Sequence, residues 1–159
     1  MNYNIFDRRE TDFRPMDGES AQAYMERLFT AACNEGAGQD RINDMLAPRL
    51  RACDAAKPML MLEFGPQDWM LNSKSTLHGG TISTALDMTM GMLSRYCKGA
   101  EDVSTVTLHV RFLRAGAAMR PFCVRAAADK VGHRVIFQHA ALTDAETGEV
   151  IADAEATFM

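Results

Sequence analysis

One stretch of the sequence, Asn72 to Ser94, combines residues that can do chemistry with a helical spacing that would hold them. His78-Gly79-Gly80 stands near its head, with Asn72 six residues before His78 and Asp87 nine residues after it. A helix that begins at these residues presents unpaired backbone N–H groups and the positive end of its dipole, and the glycines leave those groups open to a ligand. Such donors can polarise a carbonyl, or hold the oxyanion that forms when a nucleophile adds to an ester or thioester. Asp87 is then the candidate nucleophile or general base. Ser83 lacks the G-x-S-x-G surroundings of a nucleophilic elbow, so a serine triad is not indicated.

The two ends of this helix do not meet within one chain. Asp87 lies eight residues beyond Gly79. That is about 12 Å along a helix, whereas a base and its oxyanion donors must both lie within about 3 Å of the reacting atoms. Either Asp87 is not catalytic, or two such helices meet antiparallel across a two-fold axis, so that each Asp87 faces the other chain's Gly79. Gly80, Ser83, Thr84, Asp87, Gly91 and Ser94 form a face of small residues that would permit that approach. On the opposite face Ile82, Ala85, Leu86, Met92, Leu93 and Tyr96 recur at intervals of three and four and are expected to be buried. Taken singly, the same residues have plainer readings: Asp87 as a solvated or capping carboxylate, His78 as a helix-start residue, and Asn72 as a turn residue.

The elements that position this helix follow from changes of period along the chain. Residues 1–18 are polar and irregular. Ala21, Tyr24, Met25, Leu28, Phe29 and Ala32 mark an amphipathic helix ending near Asn34, with Gly36 and Gly38 behind it. Asp40 to Leu46 is a second, short helical pattern, interrupted at Pro48. Met59 to Phe64 is a strand-length apolar run broken by Gly65-Pro66, and Lys98-Gly99 closes the central helix. Four strand patterns follow, Val106 to Phe112, Phe122 to Ala128, Val135 to Thr143 and Val150 to Phe158, the last three joined by connections that suit antiparallel hairpins. The order β-α-β-β-β-β predicts an α+β fold, with an antiparallel sheet of about five strands wrapped around one long central helix.

The chain has 159 residues, 47% of them hydrophobic and 24% charged, which predicts one globular domain. Within it, 1–57 reads as a helical N-terminal extension and 58–159 as the core. A net charge of -4 argues against a nucleic-acid partner, and no stretch approaches the apolar length of a membrane span. Cys33, Cys53, Cys97 and Cys123 show neither C-x-x-C spacing nor histidines at zinc-finger spacing, and read as reduced core residues. A cytoplasmic protein without membrane association, metal or redox cofactor is expected. Met59, Met61, Met70, Met88, Met90 and Met92 cluster around the central helix, as core filler or as the lining of an adaptable apolar pocket.

The set Asn72, His78-Gly79-Gly80 and Asp87, within this element order, resembles the hotdog-fold acyl-CoA thioesterases, in the group of the phenylacetic-acid-pathway thioesterase and thioesterase superfamily member 2. The resemblance covers roughly Pro58 to Met159. It implies a hotdog fold, a homo-oligomer (a dimer or a dimer of dimers) with sites at the dimer interface, and hydrolysis of an acyl-CoA thioester. Coenzyme A is then part of the substrate. Carried over, Asp87 is the general base or nucleophile supplied by the opposite protomer, and the Gly79 N–H polarises the thioester carbonyl. Asn72 would help hold the carbonyl or the attacking water, and His78 would sit beside the sulfur and order the loop. Thr105 is the nearest match to a water-orienting hydroxyl. Gly80 and Ser83 line the substrate site, and His133 and Arg134 are candidate contacts to the nucleotide phosphates, although a solvated hairpin turn explains them equally. Ser75 stands where many members have Gly, which bears on loop shape rather than chemistry. The N-terminal extension, which the family core does not explain, would cover the acyl pocket or add an oligomer contact. Two other functions fit the same pocket: a hotdog hydratase, whose usual His/Glu arrangement is not apparent, and a non-catalytic acyl-CoA sensor, which has no need of a buried carboxylate.

Overall fold

The computed structural model describes residues 15–34, 41–99 and 101–159. Gly36, Gly38, Asp40 and the start of the irregular N-terminal stretch lie outside the described residues. Two helices come first, α1 (Ala21–Asn34) and α2 (Ile42–Leu46), followed by strands β1 (Arg49–Asp54) and β2 (Met59–Phe64). A 3-10 turn at Asp68–Met70 leads into the long helix α3 (Gly79–Cys97), and β3 (Thr105–Phe112), β4 (Phe122–Val131), β5 (Ile136–Asp144) and β6 (Val150–Phe158) complete the chain.

The strands form one six-stranded sheet in the order β1-β2-β4-β5-β6-β3, with every neighbouring pair antiparallel. The sheet thus has one strand beyond the expected number. It is β1, within a segment read from sequence as helical. Its sequence Arg49-Leu-Arg-Ala-Cys-Asp54 lacks an apolar alternation because it is an exposed edge strand carrying little of the core. The other edge is β3, so the connection from β2 through α3 passes over three strands before β3 pairs with β6.

The core lies between α3 and the sheet. Leu60, Leu62 and Phe64 of β2 meet Phe122, Val124 and Ala126 of β4 across the ladder, and all six are buried. Phe64 and Phe122 stack with centroids 5.1 Å apart. From α3, Ile82, Ala85, Leu86, Met90 and Leu93 are buried against this surface. Truncating a side chain such as Leu86 to Ala would cost about 2–5 kcal/mol, because close packing leaves the cavity unfilled.

Ser94 departs from expectation. It belongs to the small-residue face on the helical pattern, yet it is fully buried, because Gln138 of β5 hydrogen-bonds its hydroxyl and donates to the Met90 carbonyl (2.9 Å). A buried hydroxyl is tolerated when it is paired. Met92 and Tyr96, expected in the core, are only half-buried, and Tyr96 instead meets Tyr24 and Phe29 of α1 at 5.6 and 6.0 Å between centroids. None of the described helices is long and apolar enough to cross a membrane.

Candidate active site

The loop before α3 is built around Asn72. Its Oδ1 accepts the N–H groups of Lys74 (2.9 Å) and Thr76 (3.2 Å), and its Nδ2 donates to Thr76 Oγ1 (2.9 Å). Asn72 is therefore the organiser of a tight turn, with one amide N–H left for a ligand. Ser75, at the apex, has φ 57°. This is the left-handed region where glycine is at ease, which gives the glycine preference at that position a backbone cause. The loop ends with the His78 N–H donating to the Met70 carbonyl (2.8 Å).

His78 is the N-cap of α3. Its backbone is extended (φ -67°, ψ 136°), and its Nδ1 accepts the Gly80 N–H at 2.8 Å. A Cβ on Gly80 would come within 2.9 Å of that same Nδ1, so the cap requires glycine there. Among the described residues the Gly79 N–H has no acceptor, as expected at the first position of a helix. The donors of the Gly-Gly pair are thereby distinguished: the Gly80 N–H holds the cap, and the Gly79 N–H has no acceptor among the described residues. The Phe112 ring, at the end of β3, lies 3.4 Å from where a Gly79 Cβ would stand. Phe112 was expected in a half-buried strand, but it is 55% exposed and borders the open N–H.

Asp87 is half-buried on the outer side of α3. Thr105, the first residue of β3, donates through Oγ1 to Asp87 Oδ1 at 2.8 Å. The structure therefore brings Asp87 and Thr105 together at one end of β3, and Gly79, His78 and Phe112 at the other. It does not bring the two groups to each other. Thr105 and Phe112 are seven residue steps apart along the strand, about 23 Å of chain, and the unbroken helix separates Gly79 from Asp87. Ser83 donates to the Gly79 carbonyl (2.9 Å). His133 and Arg134 are exposed in the β4–β5 turn, and Lys98 after α3 binds the Gly132 and His133 carbonyls, so this turn lies at the end of α3 remote from Gly79.

β3 itself is an edge strand whose outer flank has no partner among the described residues. Its side chains Val106 and Phe112, with the following Leu113, are all more than half exposed. They follow the strand period read from sequence, but nothing among the described residues covers them. Among the described residues no group of three or more His, Cys, Asp or Glu side chains is placed to hold a metal ion.

A single long helix against a six-stranded antiparallel sheet, with a glycine N–H open at its N-terminus, defines a hotdog-fold domain. Residues 74–151 match the model of the thioesterase superfamily. Zebrafish thioesterase superfamily member 2 is similar in structure, with a TM-score of 0.73 at 20% identity over 81% of this chain and 93% of the other. A phenylacetic acid degradation-related protein from Ralstonia eutropha gives a TM-score of 0.71 at 26% identity, over 83% and 98%. A Streptococcus mutans protein bound to acetyl-CoA gives 0.63 at 18%, over 70% and 86%. No curated protein sequence matches the chain.

Proposed function

We propose that this chain hydrolyses an acyl-CoA thioester at sites formed between two protomers. The match of residues 74–151 to the thioesterase superfamily model supports the reaction class, and the similar Streptococcus mutans protein bound to acetyl-CoA supports the ligand class. The observation that carries the shared site is the position of its two halves at opposite ends of the free edge strand β3. Antiparallel pairing of β3 with a second copy of itself extends the sheet. It also sets the Thr105 end of one protomer beside the Phe112 end of the other. Asp87 of each chain then faces the Gly79 N–H of its partner, and the exposed Val106 and Phe112 side chains gain cover.

In this site the Gly79 N–H, at the positive end of the α3 dipole, polarises the thioester carbonyl and receives the oxyanion. Thr105 fixes the carboxylate through Oδ1, leaving Oδ2 to take a proton from the attacking water, so Asp87 acts as general base. Coenzyme A departs as a thiolate, a good leaving group near neutral pH, so no strong general acid is required. Asn72 contributes by holding the loop that presents His78 and Gly79. Asp87→Ala should leave a folded oligomer that still binds acyl-CoA but releases no thiol. Turnover equal to wild type in that variant would remove Asp87 from the mechanism, and binding without turnover in the wild type would favour a sensor.

A further inference from the structure

A cleft of about 190 Å³ opens within one residue of the Gly79 N–H, bordered by His78 and Gly80. Its outer wall comes from Ile42 and Leu46 of α2 and from Trp69 of the 3-10 turn, all N-terminal to the segment that matches the superfamily model. The wall is held by one side chain. Gln67 accepts the Trp69 indole N–H through Oε1 (2.8 Å) and donates through Nε2 to the Met45 carbonyl in α2 (2.9 Å). This tie fixes the indole to the helix and satisfies its only polar group. The cleft floor is equally undemanding: Thr81 donates to the Met70 carbonyl (3.3 Å) and Thr84 to the Gly80 carbonyl (2.8 Å).

Building on the thioester reading above, we infer that this cleft receives the acyl group, and that the α2–Gln67–Trp69 wall limits it to a compact acyl chain or a single ring. The lining accounts for the apolar character: Ile42, Leu46 and Trp69 form one wall, and the hydroxyls of Thr81 and Thr84 and the Trp69 indole N–H are paired internally. The size sets the scale. The cleft, open on one side, offers about 190 Å³, near the roughly 150 Å³ that holds one benzene ring. A single ring therefore fills it, and a long alkyl chain extends past its wall into solvent. The extension outside the superfamily segment is thereby the specificity element. Gln67 is a positioning residue, acting through Trp69.

Trp69 is the only tryptophan in the chain, so its fluorescence reports on this wall alone. In the full-length protein, the non-hydrolysable ketone S-phenacyl-CoA should change Trp69 emission, and free coenzyme A should not. The ratio of kcat/KM for benzoyl-CoA over dodecanoyl-CoA should fall about tenfold or more in Trp69→Ala, in line with the discrimination an apolar pocket can provide. Gln67→Leu should move the ratio in the same direction and lower Trp69 fluorescence anisotropy, a signature of a released ring that a general loss of stability does not produce. Ile42→Trp, at an exposed position, should raise KM for benzoyl-CoA by filling the cleft. A Trp69 response in a wild-type protein that hydrolyses no thioester would uphold the pocket and defeat the hydrolase reading. Hydrolysis with a silent Trp69 and an unmoved substrate ratio in all three variants would overturn the pocket.

Discussion

Replacing Gly79 with Pro deletes one backbone N–H and little else. Three features of the local structure allow it. Gly79 is the first helical residue, where the N–H has no intrahelical acceptor and proline is well accommodated. His78 already has φ -67° and ψ 136°, the conformation that a residue before proline must adopt. The added Cβ would stand 3.4 Å from the Phe112 ring, an ordinary van der Waals contact. The helix should therefore survive. If the Gly79 N–H receives the developing oxyanion, its loss should lower kcat by about 10²–10³-fold, equivalent to roughly 2.7–4 kcal/mol. Thiol release at saturating acyl-CoA measures this directly, with thermal unfolding as the check on folding. Gly79→Ala keeps the N–H and should lose far less. A folded Gly79→Pro protein with wild-type kcat would refute the oxyanion role.

Two further outcomes follow from individual hydrogen bonds. Thr105→Val removes the donor to Asp87 Oδ1. A hydrogen bond to a charged group is worth about 1.5–3 kcal/mol, and the exposure of Thr105 favours the lower end, so kcat should fall at least about tenfold. Thr105→Ser should restore most of it, and equal rates for the Val and Ser variants would dissociate the hydroxyl from catalysis. Glu19 is held by both the Arg27 side chain (2.9 Å to each oxygen) and the Met16 N–H, which lower its pKa from 4.5 to about 2. Its contribution is complete above the ordinary carboxylate range and is lost as pH falls from about 4.5 through about 2. Asp144, whose pKa is lowered by the backbone N–H groups of Thr147 and Glu146 and by Arg120, loses its contribution in the same direction. Melting temperature should drop on acidification, and Glu19→Gln should flatten that slope; an unchanged slope would exclude the Glu19–Arg27 pair as a cause.

The central helix was legible in the sequence because two independent patterns coincide there: a 3.6-residue apolar period and a Gly-Gly pair at a helix start. The separation of Gly79 from Asp87 was equally legible, since helical rise alone fixes it. What escaped the sequence depends on partners distant in the chain. Ser94 reads as surface until Gln138 supplies its hydrogen bond across the core. β1 reads as part of a helical extension because an edge strand needs no apolar alternation. Trp69 reads as a loop residue because its wall exists only through the contact of Gln67 with Met45. The exposed Val106 and Phe112 carry a true strand period that no other described residue covers.

Mixing two inactive variants tests the shared site most directly. One protomer carries Gly79→Pro with Asp87 intact, and the other carries Asp87→Ala with Gly79 intact. If each site takes Asp87 from one chain and Gly79 from the other, every mixed dimer contains one fully intact site. Unfolding and refolding the two in equal amounts should then restore about a quarter of wild-type activity, since half the dimers are mixed and each has one of its two sites whole. Mixed dimers that form, by subunit-exchange mass measurement, yet remain as inactive as either parent would contradict a site shared between protomers.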